Sequence, residues 1–309
     1  LGKIWTNSYT ITTVNSSTNP LLLVGNGGYI IDSAVAKTSV TLKKNAKYNS
    51  GPALQGDIDT VVFKFIGDGT AAAQALANGE LDVYAGQATA DGVAKLKAIK
   101  GVNVVGKEEV AYEHWDLHYD TVPGEDPYTG LFSVKDGAKS LALRRAFLLG
   151  IPRGEIMSKL IAPINGVTKP IQSTWLAPGS AAYDKLVASN GSSYFSQGTQ
   201  EERNKRALGL VQKYYPNVLK NPLKVNVLVP GNNPRRAAEF ALAKANLAKI
   251  GFDLVGDVRT DWPSLLGNSK YDVYFFAWVA SAVTQKQSSE NFITNGGNNI
   301  LGYSNTTVD

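Results

Sequence analysis

Residues 223–278 restrict the fold more than any other part of the chain. LKVNVLV (223–229) alternates as a strand, Asn233 stands as a helix cap with Pro234 at the first helical position, and RRAAEFALAKANLAKI runs on to Gly251. FDLVGDV (252–258) reads as a second strand, Asp261 caps a short helix holding Trp262 and Leu265, and YDVYFFAW (271–278) reads as a third strand. Crossovers of this length allow parallel pairing with right-handed connections. An open parallel sheet receives ligands beyond the carboxyl ends of its strands. Here the loops 230–233 and 278–290 leave those ends.

The first half of the chain continues the alternation. SVTLKK (39–44) and TVVFKFI (60–66) read as strands, and a helix over 71–78 is entered at Asp68 or Thr70 and stopped by Gly79. LDVYA (81–85) reads as a short strand, 91–99 as a helix leaving at Gly101, and VNVVG (102–106) as another strand. Helices between strands argue an α/β lobe. AYEHWDLHY (111–119) is an extended crossing segment, LALRRAFLLG (141–150) a helix, and Pro152 opens a second helix, RGEIMSKLI. Residues 162–198 are irregular, and Thr199 with Glu202 has capping-box spacing for a helix ending near Pro216.

Composition excludes more than it selects. Of the 309 residues 43% are hydrophobic and 18% charged, a mixture able to bury a substantial core. The formal charge of +5 is spread thinly, without the one-sided basic cluster that nucleic acid or a membrane surface needs, so no nucleic-acid partner is expected. Cysteine is absent, which removes disulfides, thiolate metal sites and Cys nucleophiles. The most apolar short run, Leu21–Val24, is far too short to span a bilayer. Gly25-Asn26-Gly27-Gly28 lacks the dinucleotide spacing and precedes a strand, Asp57 and Asp59 lack the other ligands of a calcium loop, and no Gly-x-Ser-x-Gly elbow occurs. No resident cofactor is expected.

Four stretches, in order, carry a family resemblance: NGGYIIDSAVAKTSVTLKKNAKY (26–48), IDTVVFKFIGDGTAAAQALANGELDVYAG (58–86), LRRAFLLGIPRGEI (143–156), and YDVYFFAW (271–278) with LGYSNTTVD (301–309). Together they resemble the family 5 solute-binding proteins of ABC importers, the peptide/nickel type. The resemblance implies an α/β, periplasmic-binding-protein type II-like fold of two lobes joined by a hinge, with lobe I incomplete. The implied division is 1–112 for part of lobe I, 113–290 for lobe II and 291–309 for the return to lobe I. It further implies that the chain is a fragment of a longer protein, that it is not an enzyme, and that it captures a small peptide or similar polar solute by hinge closure. An oligosaccharide or nickel is the alternative cargo on the same fold. An ABC permease and ATPase are the implied partners, the location is extracytoplasmic, and membrane contact is expected only through a lipid anchor upstream of Leu1.

Trp278 ends a strand at the expected cleft and matches a ligand-facing Trp of the family; core packing is its plainer explanation. Peptide-binding members carry an Asp shortly after that Trp, which pairs with the peptide ammonium; Ser281 stands there in this chain and supplies no charge. Glu290 in the same loop is the expected substitute, with Asn291 beside it, and Trp175 is a candidate platform from the irregular region. His114 and His118 share a face in either a helix or a strand, and Asp116 joins them on a strand. His114 is therefore a candidate ligand contact, and the pair, with Asp116, a weak metal site that a zinc hydrolase would need; hydrogen-bonded imidazoles in a hinge strand are the commoner outcome. Asn232, Asn233, Arg235 and Arg236 at a helix start offer an anion site, against ordinary capping with two solvated arginines.

Overall fold

The computed structural model describes residues 25–52, 56–106, 111–174, 176, 178–279 and 289–309. The chain divides into two compact units between Tyr84 and Ala85. The first contains an antiparallel sheet of β1 (Tyr29–Val35), β2 (Ser39–Lys44) and β3 (Thr60–Lys64), in that order. Its helix α1 (Gly69–Ala77) begins where the Asp68 carboxylate accepts the Ala71 N–H, and Gly79 follows its end at a φ of 75°, a left-handed value that costs glycine little. LDVYA does not form the expected strand, and neither does VNVVG in the second unit. Val83 and Val105 are 79% and 68% exposed. Strand propensity is realised only against a neighbouring strand and a packed face, and these segments have neither among the described residues.

The second unit is built on a four-stranded sheet in the order β4-β7-β5-β6. Its strands are β4 (Ala111–Leu117), β5 (Leu223–Pro230), β6 (Phe252–Arg259) and β7 (Val273–Val279). β5 runs parallel to β6 and β7, as the crossovers predict, and β4 lies antiparallel to β7. Helix α2 (Ala90–Lys97) is capped by Thr89, and α3 (Gly137–Gly150) leads into the short helix Arg153–Ile156 that follows Pro152. Helix α4 (Gln200–Gln212) opens with the expected reciprocal capping box of Thr199 and Glu202. In α5 (Pro234–Ala248) the Asn233 side chain accepts the Arg236 N–H and Pro234 takes the first turn. Asp261 makes no side-chain cap to the turn Trp262–Leu265; its carboxylate is instead engaged by Arg259 at 2.7–2.8 Å.

Alternation along β7 sorts its side chains onto two faces. Val273 and Phe275 join Val225, Val227, Phe252, Phe147 and Leu247 in the main core against α3, α4 and α5. Tyr274, Phe276 and Trp278 point the other way and pack with Trp262, Leu265, Ile300 and Leu301. β4 splits likewise: Trp115 stacks on Phe275 at 4.4 Å in the main core, whereas His114 meets Phe276 and Trp278 on the opposite face.

The segment 291–301 is held over that second face by its backbone. The Leu301 carbonyl accepts both the Tyr119 and Asp120 N–H groups at 2.9 and 3.0 Å. Gly302 then adopts a φ of 63°, and a Cβ there would run into the Asp120 carbonyl. Gly302→Ala combines strain with a backbone clash and is expected to lower stability by about 1–3 kcal/mol. Urea denaturation at unchanged m value would check it; a loss below 0.5 kcal/mol (roughly the surface-substitution level) would contradict the fit.

Candidate functional site

The β4–β7 register places Tyr112 opposite Trp278, His114 opposite Phe276 and Asp116 opposite Tyr274. Residues two apart on a strand share a face, so Tyr112, His114 and Asp116 form one row beside Phe276 and Trp278. The His114 ring lies 6.2 Å from Trp278 at 16° and 4.5 Å from Phe276 at 72°, with Tyr112 at 5.4 Å. Asn291, Phe292, Asn298 and Ile300 of the returning segment, with Thr174, complete a cleft of about 50 Å³. That is room for a few water-sized groups, roughly 10–15 Å³ each on this measure, rather than for a whole solute.

Polar atoms at this cleft are left without partners. Among the described residues neither His114 ring nitrogen makes a hydrogen bond, although Nδ1 lies 3.2 Å from Asp116 Oδ1. Asn291 Oδ1 is buried and unbonded in the same way. Buried polar groups ordinarily find partners, so two such side chains lining one cleft single it out as the candidate site. Burial, then the Asp116 charge, raises the Tyr112 pKa, keeping its hydroxyl neutral.

The other expected site residues fall as follows. Trp278 is half-buried and lines the cleft, as do His114 and Asn291. Glu290 is not among the lining residues; its Oε2 accepts the Gly297 N–H at 3.1 Å. Ser281, Trp175 and most of the loop 278–290 lie outside the described residues. His118 separates from His114: it stacks on Tyr128 at 3.9 Å, and its Nδ1 lies 2.9 Å from the Tyr271 carbonyl. Burial lowers the His118 pKa against the opposing effect of its backbone bonds, favouring the neutral ring. Among the described residues no three His, Asp or Glu side chains gather as metal ligands.

At the start of α5 the expected Asn233 cap forms, but the rest differs. Arg235 and Arg236 are not solvated: their side chains are only 17% and 13% exposed. Glu113 Oε1 accepts from Arg235 at 2.8 Å and from Arg236 at 2.7 Å, and Arg235 also reaches Glu239 at 3.2 Å. The helix start therefore already holds its anion. Burial, the Glu113 charge and a hydrogen bond with Glu113 push the Glu239 carboxyl up to about 9. Burial acts upward on Glu113 too, but the Glu239 bond and the two guanidiniums outweigh it and hold that carboxyl below the ordinary range. The opposite directions make Glu239 the member of the pair that holds a proton more readily. Sequence reasoning missed this cluster, although a signal existed: Glu239 shares a helical stripe with buried Ala243, Asn246 and Leu247.

The model of the bacterial extracellular solute-binding proteins, family 5 Middle, matches residues 7–299. No curated protein matches in sequence. Among solved structures, Haemophilus influenzae OppA in complex with RPPGFSPFR superposes with a TM-score of 0.64 at 20% identity, over 95% of this chain and 53% of its own. The Escherichia coli murein tripeptide binding protein MppA gives 0.65 at 20%, over 96% and 53%. Staphylococcus aureus NikA in complex with Ni(L-His)2 gives 0.62 at 14%, over 92% and 54%. The chain thus spans about half the length of these solved proteins, and at such identities the likeness establishes the type II periplasmic-binding-protein fold alone. No helix among the described residues is long and apolar enough to cross a membrane. The family is one of solute-binding proteins rather than enzymes, and with a match across nearly its whole length the chain belongs to the bacterial extracellular solute-binding proteins of family 5.

Proposed function

We propose that this chain is the ligand-capturing body of an extracytoplasmic solute-binding subunit of an ABC importer, taking a small peptide or similar polar solute. The observation that carries the proposal is the aromatic cleft at the end of β7, where His114 and Asn291 present buried polar atoms that make no hydrogen bond among the described residues. Parallel α/β sheets receive ligands at this end of their strands. Two of the similar structures, OppA with its bound peptide and the murein tripeptide binding protein, are peptide binders by name. In this proposal residues 1–112 belong to lobe I, 113–290 to lobe II and 291–309 return to lobe I. The solute favours closure because only the closed form touches it from both sides. A permease pair and an ATPase receive it, and no catalytic step is required of any residue.

Thermal melts of the full-length protein against di- to pentapeptides, malto-oligosaccharides and Ni(II)-histidine test this. A bound solute at a hundredfold excess over Kd stabilises by about 2.7 kcal/mol, and peptides are expected to give the shift. Trp278→Ala should weaken that binding at least about tenfold, since an aromatic anchor in a cleft contributes well over 1.4 kcal/mol. A shift with oligosaccharide or nickel alone would replace the cargo. Full peptide affinity in the Trp278→Ala protein would remove this cleft from the binding site.

A further inference from the structure

We infer that the Asp116 carboxylate anchors a positively charged group of the solute, held against the wall formed by Tyr112, His114 and Trp278; this rests on the solute-binding proposal above. The whole sequence carries a formal charge of +5, yet Asp116 is the one formally charged side chain at the cleft among the described residues, with no lysine or arginine beside it. Its side chain is 21% exposed, so it is partly desolvated but reachable.

The polar atoms around Asp116 point to the same ligand. Asn291 Oδ1 is a buried acceptor without a donor among the described residues, and the Asp116 carboxylate, with His114 Nδ1 3.2 Å from Oδ1 as its one basic neighbour, adds two further acceptor oxygens. The site is therefore rich in acceptors. An ammonium brings several donors and no acceptor, whereas a carboxylate or phosphate would set acceptor against acceptor. Aromatic faces add to the preference, because Trp and Tyr rings attract a cation through their quadrupoles. The small volume of the cleft suits a cationic head, with the rest of the solute outside it.

Calorimetric titration of the full-length protein and its Asp116→Asn variant is the test, with trialanine, N-acetyltrialanine, agmatine and maltotriose as probes. Trialanine or agmatine should bind the parent at least tenfold more tightly than the neutral probes. Asp116→Asn should remove most of that advantage while changing the affinity for neutral probes less than twofold. Cationic probes binding the variant within twofold of the parent would overturn the anchor. Tightest binding of maltotriose or N-acetyltrialanine, indifferent to the variant, would overturn it while leaving solute binding intact. No binding of any probe would count against the cleft as a solute site, and the anchor falls with it.

Discussion

Replacing Asp272 with Ala is expected to cost about 4 kcal/mol of folding stability, the largest single loss outside the aromatic core. Asp272 is 6% exposed and sits immediately before β7. Its Oδ1 accepts the Tyr128 hydroxyl at 2.9 Å and the Leu131 N–H at 3.2 Å, and its Oδ2 accepts the Asn226 N–H at 2.9 Å. Its own backbone accepts from His118 and donates to Asn226. One carboxylate therefore fastens the turn 128–132 to β5 and β7, beside the end of β4. Burial first, then the nearby Asp272 charge, raises the Tyr128 pKa, so that hydroxyl stays a donor. Truncation strands three donors, each costing roughly 1–3 kcal/mol when left unpaired, less what entering water restores. Asp272→Asn keeps the shape but turns an N–H toward one of those donors, and should lose about half as much. Gly130→Ala should destabilise by the same route, because its Cβ would meet Asp272 Oδ1 and the Tyr128 ring. Urea denaturation at unchanged m value reads all three. An Asp272→Ala protein within 1 kcal/mol of the parent (roughly the median for any substitution) would mean the carboxylate does not join these segments.

Such long-range polar fastenings are what the sequence conceals. Asp272 precedes a strand and its partners lie 46, 141 and 144 residues away, so no local pattern announces it. The parts that were legible are those whose causes are local. Asn233-Pro234 and Gly251 bracket α5, Thr199 and Glu202 form a capping box, and the β-branched and aromatic runs at 223–230 and 273–279 became strands. Strand propensity failed where pairing was missing, at 81–85 and 102–106. The candidate site was half legible. Trp278 and His114 follow from strand ends and period-two alternation, whereas the missing hydrogen bonds of His114 and Asn291 Oδ1 among the described residues depend on what does not approach them, which spacing never encodes. The role assigned to Asp116 changed for the same reason. The period of two groups it with His114 and His118, but His118 is taken by Tyr271 and stacked on Tyr128.

The burial that raises the Glu239 carboxyl should make stability depend on pH in a direction opposite to that of an ordinary salt-bridged acid. With that carboxyl pushed up to about 9 from an ordinary 4.5, the folded state holds between these values a proton that the unfolded state has released. Stability from this group is complete below the unfolded value and falls as pH rises towards 9, by up to about 1.4 kcal/mol per pH unit. Glu239→Gln supplies the donor without needing the proton. It should flatten that slope and leave the variant more stable at pH 8. Glu113→Gln alone should cost less than loss of a buried anion suggests, because Glu239, 3.2 Å from Arg235, can ionise in its place. The double variant has no such recourse: two guanidiniums, 17% and 13% exposed, would face only amides, a loss of about 3–5 kcal/mol. The two substitutions should therefore be strongly non-additive, one gain and one modest loss combining into a large loss. Denaturation of the four proteins between pH 5 and 9 measures the cycle. Additive behaviour, or a parent slope that Glu239→Gln leaves unchanged, would show that no proton is shared between β4 and α5.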